Sequence, residues 1–81
     1  MHIYPYMTFD SLKKHLQEGN VTITYKSLSS DKIFTKTCTL QHTEQRIKIN
    51  QRESNKIVVW LVDDNKFEDI ELSSIDEIKI D

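Results

Sequence analysis

Two spacings of apolar residues divide this chain. In "TFDSLKKHLQEGN", Phe9, Leu12 and Leu16 recur at helical spacing, and Thr8 or Asp10 can cap the free amide groups at the start. The pattern predicts a helix over 8–19, closed by Gly19 or Asn20 in the left-handed conformation that glycine adopts readily. From Val21 onward the period shortens to that of a strand. "VTITYK" sets Val21, Ile23 and Tyr25 against Thr22, Thr24 and Lys26, so one face is buried. "SLSSD" reads as a hairpin turn. "KIFTKTCTL" returns with Phe34, Cys38 and Leu40 inward and Thr35, Thr37 and Thr39 on the other face.

Between two polar links, "RIKIN" alternates Ile47 and Ile49 with charges and reads as a short strand. "KIVVWLV" does not alternate, which predicts a central strand covered on both faces. Trp60 would then be the largest contributor to the core, and its truncation to alanine would cost about 3–5 kcal/mol. "DDNK" makes a tight turn into "FEDIEL", where the spacing of Phe67, Ile70 and Leu72 asks for a bulge near Glu68 or Asp69. "SSID" reads as a single tight helical turn before a last strand, "EIKI", with Ile78 and Ile80 inward. The expected architecture is mainly β with one N-terminal helix. It forms a single domain over 1–81, with the helix at 8–19 and a small barrel of about five short strands at 21–81, since closing the sheet hides its edges; this order of elements resembles the Sm-like, SH3-type barrel. At the start, Pro5 favours extended backbone in "IYPYM". Tyr4 and Tyr6 then either pack across the barrel end or serve as an aromatic anchor for a partner.

Composition narrows the class without changing that picture. With 37% apolar residues, 30% charged residues and a net charge of -2, the chain is built as a globular protein and not as a disordered one. The only cysteine, Cys38, cannot form an internal disulfide, which fits a reducing compartment. No apolar run approaches the roughly 18 residues that span a bilayer, and "MHIYPYM" does not read as a secretion leader. The expectation is an intracellular chain with no membrane partner.

The residue types of catalysis are present without their spacings. His2, His15 and His42 have no metal-ligand arrangement. "DDNKFEDIE" lacks the glycine and the spacing of a roughly 12-residue calcium loop. A single glycine leaves neither a phosphate-cradling loop nor a strained nucleophile elbow. Cys38, set between threonines, reads as a small buried hydrophobe. These readings predict a non-enzymatic protein with no cofactor and no metal.

Charge distribution supplies the candidate binding chemistry. Residues 1–56 carry nine basic and five acidic side chains, a net of +4, whereas residues 57–81 carry two and eight, a net of -6. The acids Asp63, Asp64, Glu68, Asp69 and Glu71, followed by Asp76 and Glu77, can present a docking face to a basic site on a protein or serve as solvated charges that blunt a sheet edge. The bases Lys26, Lys32, Lys36, Arg46, Lys48 and Arg52 could contact RNA or DNA. The acidic overall balance and the lack of interleaved aromatic and basic residues favour the protein partner over nucleic acid. Short strands with open edges also suggest homodimerisation by edge pairing.

Four stretches carry a resemblance. "LQEGNVTITYK", "TKTCTL", "VVWLVDD" and "FEDIELSSI" follow one another as do the helix–Gly–strand, C-T-L, V-W-D and F-R-x-D-S-I pieces of small phage-encoded WYL-like proteins with an Sm-like barrel. The likeness covers nearly the whole chain after Met7. It implies the same barrel, a phage origin and the cytoplasm of an infected bacterium. It implies as well a small accessory protein that binds and inhibits or retunes a host protein or a protein–nucleic acid complex. An Sm-like RNA- or DNA-binding regulator is the alternative, and a sensor domain for a small ligand is the third reading. The chain departs from the family where "KSLSSDK" lacks the turn glycine and where the acidic "NKFEDIEL" replaces a basic segment. That replacement reverses the charge at the position where related domains hold anionic ligands with arginines.

Overall fold

A computed structural model describes residues 2–27, 30–41 and 55–80. Six strands and one helix follow in the order β1 (His2–Tyr4), α1 (Phe9–Glu18), β2 (Val21–Lys26), β3 (Ile33–Thr39), β4 (Lys56–Leu61), β5 (Lys66–Glu71) and β6 (Ile75–Ile80), with a 3-10 turn at Leu72–Ser74 before β6. They form one antiparallel sheet in the order β1-β6-β2-β3-β4-β5. The protein is mainly β with an N-terminal helix, a small barrel-like β domain. The expected strand "RIKIN" lies outside the described residues.

The helix forms where its pattern places it. Thr8 caps it by accepting the Ser11 N–H at 3.2 Å, and Phe9, Leu12 and Leu16 are buried on one stripe. Its other end differs from expectation. Gly19 is extended, at φ -178°, and not left-handed. The reason is tertiary: the carbonyls that a left-handed cap would satisfy are taken by neighbours. Leu40 N–H donates to Leu16 C=O at 2.9 Å, Gln41 Nε2 to Glu18 C=O at 3.0 Å, and Gly19 N–H to His15 C=O at 3.0 Å.

Those bonds tie α1 to the end of β3, where Cys38, Thr39 and Leu40 are all buried. Thr39, expected to face outward, is fully covered. Its hydroxyl lies 3.5 Å from Leu16 C=O and 3.4 Å from Gly19 C=O, and accepts from Gln41 N–H at 3.2 Å. A buried hydroxyl needs such partners. The strand alternation otherwise holds: Val21, Ile23 and Tyr25 of β2 and Ile78 of β6 join Ile57, Val59, Leu61 and Ile70 in the core.

Trp60 is not the centre of that core. In β4 the buried positions are Ile57, Val59 and Leu61, while Val58 and Trp60 are half-buried on the opposite face. Among the described residues β4 lies between β3 and β5. Phe67 follows Trp60 outward. β4 and β5 pair in unbroken register from Lys56↔Glu71 to Leu61↔Lys66, so the expected bulge near Glu68 is absent; the irregularity falls between β2 and β6, at Thr24/Tyr25. Phe67 needs no bulge because it finds an aromatic partner outside.

The N-terminal segment does not pack across the barrel end. His2–Tyr4 pairs with β6 as an edge strand, leaving Ile3 at 55% and Tyr6 at 70% exposure.

Three substitutions check this account. Leu16→Ala should destabilise by about 2–5 kcal/mol, and Trp60→Ala by about half of the 3–5 kcal/mol of a fully buried tryptophan, read from urea midpoints. Gly19→Ala, whose added methyl meets nothing within 4 Å, should be neutral or stabilise by about 0.4–1 kcal/mol in thermal unfolding. A loss of stability there would restore the left-handed cap.

Candidate functional site

Among the described residues, β3 and β4 pair through Cys38↔Leu61 and Thr39↔Trp60, with one further bond from Val62 N–H to Thr37 C=O at 2.9 Å. The Ile33–Thr37 half of β3 pairs with β2, and β4 pairs with β5. Side chains connect the two. Tyr25 Oη donates to Glu68 Oε2 at 3.2 Å, and Lys36 Nζ pairs with Asp64 Oδ2 at 3.0 Å. Lys36 lies also over the Phe34 ring, 5.5 Å from its centroid.

These contacts follow from strand parity. Lys36 shares the inner face of β3 with Cys38, and Glu68 shares the inner face of β5 with Ile70. Two charged side chains therefore stand inside the mouth of the barrel and meet Tyr25 and Asp64. Burial, together with Glu68 nearby, pushes the Cys38 thiol up to about 12, against a smaller opposing pull from Lys36. Burial and Glu68 also raise Tyr25 above its ordinary value. A thiol held protonated in this way is the opposite of an activated nucleophile.

The sequence-predicted acidic residues are divided between locations. Asp63 and Asp64 occupy the β4–β5 turn, which ends at Asn65 in a left-handed conformation, φ 53°. Glu68 turns inward. Asp69 and Glu71 lie on the outer face of β5, opposite Val58 and Lys56, and Glu71 accepts from Ser73 Oγ at 2.9 Å. The basic candidates are likewise dispersed. Lys26, on the outer face of β2, pairs with Asp31 at 3.1 Å; Lys32 is exposed just before β3; Lys36 is inside the mouth. Arg46, Lys48 and Arg52 lie outside the described residues. The described bases do not share one face.

What sequence reading missed is aromatic. Trp60 and Phe67 stand directly across the β4–β5 ladder, with ring centroids 5.0 Å apart and planes at 78°, an edge-to-face pair on the outer surface. Phe67 remains 43% exposed, beside Asp69. The signal was available, because Trp60 and Phe67 are equidistant from the turn at 62–65, and antiparallel pairing brings such positions together.

Two depressions flank these elements. One, of about 190 Å³, is lined by Tyr25, Lys26, Ser27 and the stretch Glu68–Glu71. It is smaller than the roughly 300–1,000 Å³ of ordinary small-molecule sites. The other, of about 510 Å³, is wide open at the end of α1 between His15 and Ile80. Among the described residues no group of His, Cys, Asp or Glu is arranged to hold a metal ion, and no helix is long and apolar enough to cross a membrane. No family model matches the chain, and neither does any curated protein or solved structure.

The raised ionisations make an alkaline prediction. In the unfolded chain Cys38 loses its proton near its ordinary value of 9.0, whereas in the fold it keeps it until about 12. The unfolded state therefore gains over this window, and stability falls as pH rises from about 9, with a slope of up to about 1.4 kcal/mol per pH unit for this one group. Tyr25 adds a fall of the same sign above its ordinary value. Chemical denaturation between pH 7 and 11 should show this decline, and Cys38→Val should flatten its first part.

Proposed function

We propose that this chain is a non-enzymatic protein-binding module that docks on a partner through the β4–β5 hairpin. In the setting its sequence resemblance implies, it is a phage accessory protein in the cytoplasm of the infected bacterium, and the partner is a host protein whose activity it inhibits or retunes. One observation carries the reading: an exposed aromatic side chain, Phe67, held rigidly against Trp60 and bordered by Asp69. Aromatic anchors in a fixed geometry, ringed by polar groups, are the usual energetic centre of a protein interface.

Acids around such an anchor favour a basic partner and speed its encounter. The nucleic-acid alternative is weaker, because Lys26 and Lys36 are each engaged with a carboxylate and point to different faces. Among the described residues, neither depression gives the small-ligand reading an enclosed cavity of the usual size.

The test uses capture from bacterial extract with the immobilised protein, in parallel with gel retardation of random RNA and DNA at physiological salt. Phe67→Ser, folded by circular dichroism, should lose a discrete captured protein by about tenfold or more. Retardation of nucleic acid that falls on substitution of Lys26 and Lys32, with capture indifferent to Phe67, would replace this reading by the nucleic-acid one.

A further inference from the structure

Of all the strands, β1 is held least by side chains. It pairs with β6 through His2↔Ile80, Ile3↔Lys79 and Tyr4↔Ile78, and none of its residues joins the core. All of them are exposed. Following the chain from β1, the first side chain that packs against the core is Met7, just before the Thr8 cap of α1. A short strand attached in this way opens at a free energy well below that of global unfolding.

The connection to α1 is short and stiff. The chain bends at Pro5 and reaches the helix at Phe9. Proline fixes its own φ and biases the residue before it, here Tyr4, toward extended backbone. Exposed apolar surface gathers on the same segment: of the five exposed large apolar side chains among the described residues, Ile3, Tyr4 and Tyr6 lie here, and Tyr6 at 70% is the most exposed. β6, by contrast, has a fixed need for a strand at this edge, since its Ile78 is buried and its Ile80 packs against the core.

We propose that β1 exchanges between two copies of this chain: His2–Tyr4 of each copy leaves its own β6 and pairs with β6 of the other in the same register, with 5–8 as the hinge. The occupant is a second copy because the segment that fits this edge of β6 is β1 itself, and every backbone bond of the closed chain is remade in the exchanged pair. What remains to offset is the cost of association. The two hinges run side by side about the two-fold axis, which gives each Tyr6 an apolar neighbour that the closed chain does not provide. This dimer differs from one made by pairing open edges. β6 lies between β1 and β2, so a β1 from another copy enters only by displacing the resident one.

Two single variants test the exchange, Ile3→Cys and Lys79→Cys, each in a Cys38→Val chain and one of them carrying a tag that distinguishes it by mass. They are mixed in urea, refolded together at high protein concentration under reducing conditions, checked by circular dichroism and then oxidised. Positions 3 and 79 face each other in the β1–β6 ladder, and they do so between chains only after exchange. The product joining 3 to 79 should therefore exceed the 3–3 and 79–79 products by about tenfold or more, because paired positions meet at roughly millimolar effective concentration. In sedimentation the unsubstituted chain should dimerise as its concentration rises. A Gly-Ser-Gly insert after Tyr6 should lower the dimer fraction about tenfold, since a longer hinge lets β1 fold back on its own β6. A monomer at every concentration, a 3–79 product no more abundant than the others, or a dimer indifferent to the insert overturns the exchange.

Discussion

Everything in this fold depends on the end of β3, where three successive residues are buried and two backbone elements are joined. Leu40 N–H and the Thr39 hydroxyl close the C-terminal turn of α1, while Cys38 and Thr39, among the described residues, pair β3 with β4. The helix and the outer hairpin are therefore held by the same short segment. Thr39 combines a β-branched side chain suited to a strand with a hydroxyl that reaches helix carbonyls, and it is fully covered. Its role explains why the helix needs no left-handed glycine.

Inward-pointing polar side chains stand beside this junction. Lys36 and Glu68 would be costly in a closed barrel of this size, because a charge removed from water must be paired. Here each has a partner, Asp64 and Tyr25, and each keeps access to solvent. Buried Cys38 sits behind them, which is why its thiol responds to Glu68 and Lys36 alike.

The surface left for recognition follows from the same geometry. The face bearing Val58, Trp60 and Phe67 is only half-covered, and among the described residues β5 ends the sheet. Edge strands are ordinarily blunted by charge. β5 has that charge in Asp69 and Glu71, both of one sign on its outer face.

Local spacing was enough for much of this. The helix with its Thr8 cap, the alternation of β2, the inward Cys38 and Leu40, the tight turn before β6 and the mainly β class were all legible, since each depends on neighbours within a few residues. Strand parity was not legible where the pattern was ambiguous. "KIVVWLV" is apolar throughout, so only pairing with β5 decides that Trp60 faces out, and "FEDIEL" offered either a bulge or an outward Phe67. Likewise "HIY" is too short to show a period, and it becomes a strand because β6 offers it an edge. The acids of 63–71 looked like one patch in the sequence and are three in space. What the sequence by itself determined was which residues prefer burial and where the chain turns. What the tertiary structure decided was which face each ambiguous strand presents, because register is a property of two strands together and not of either alone.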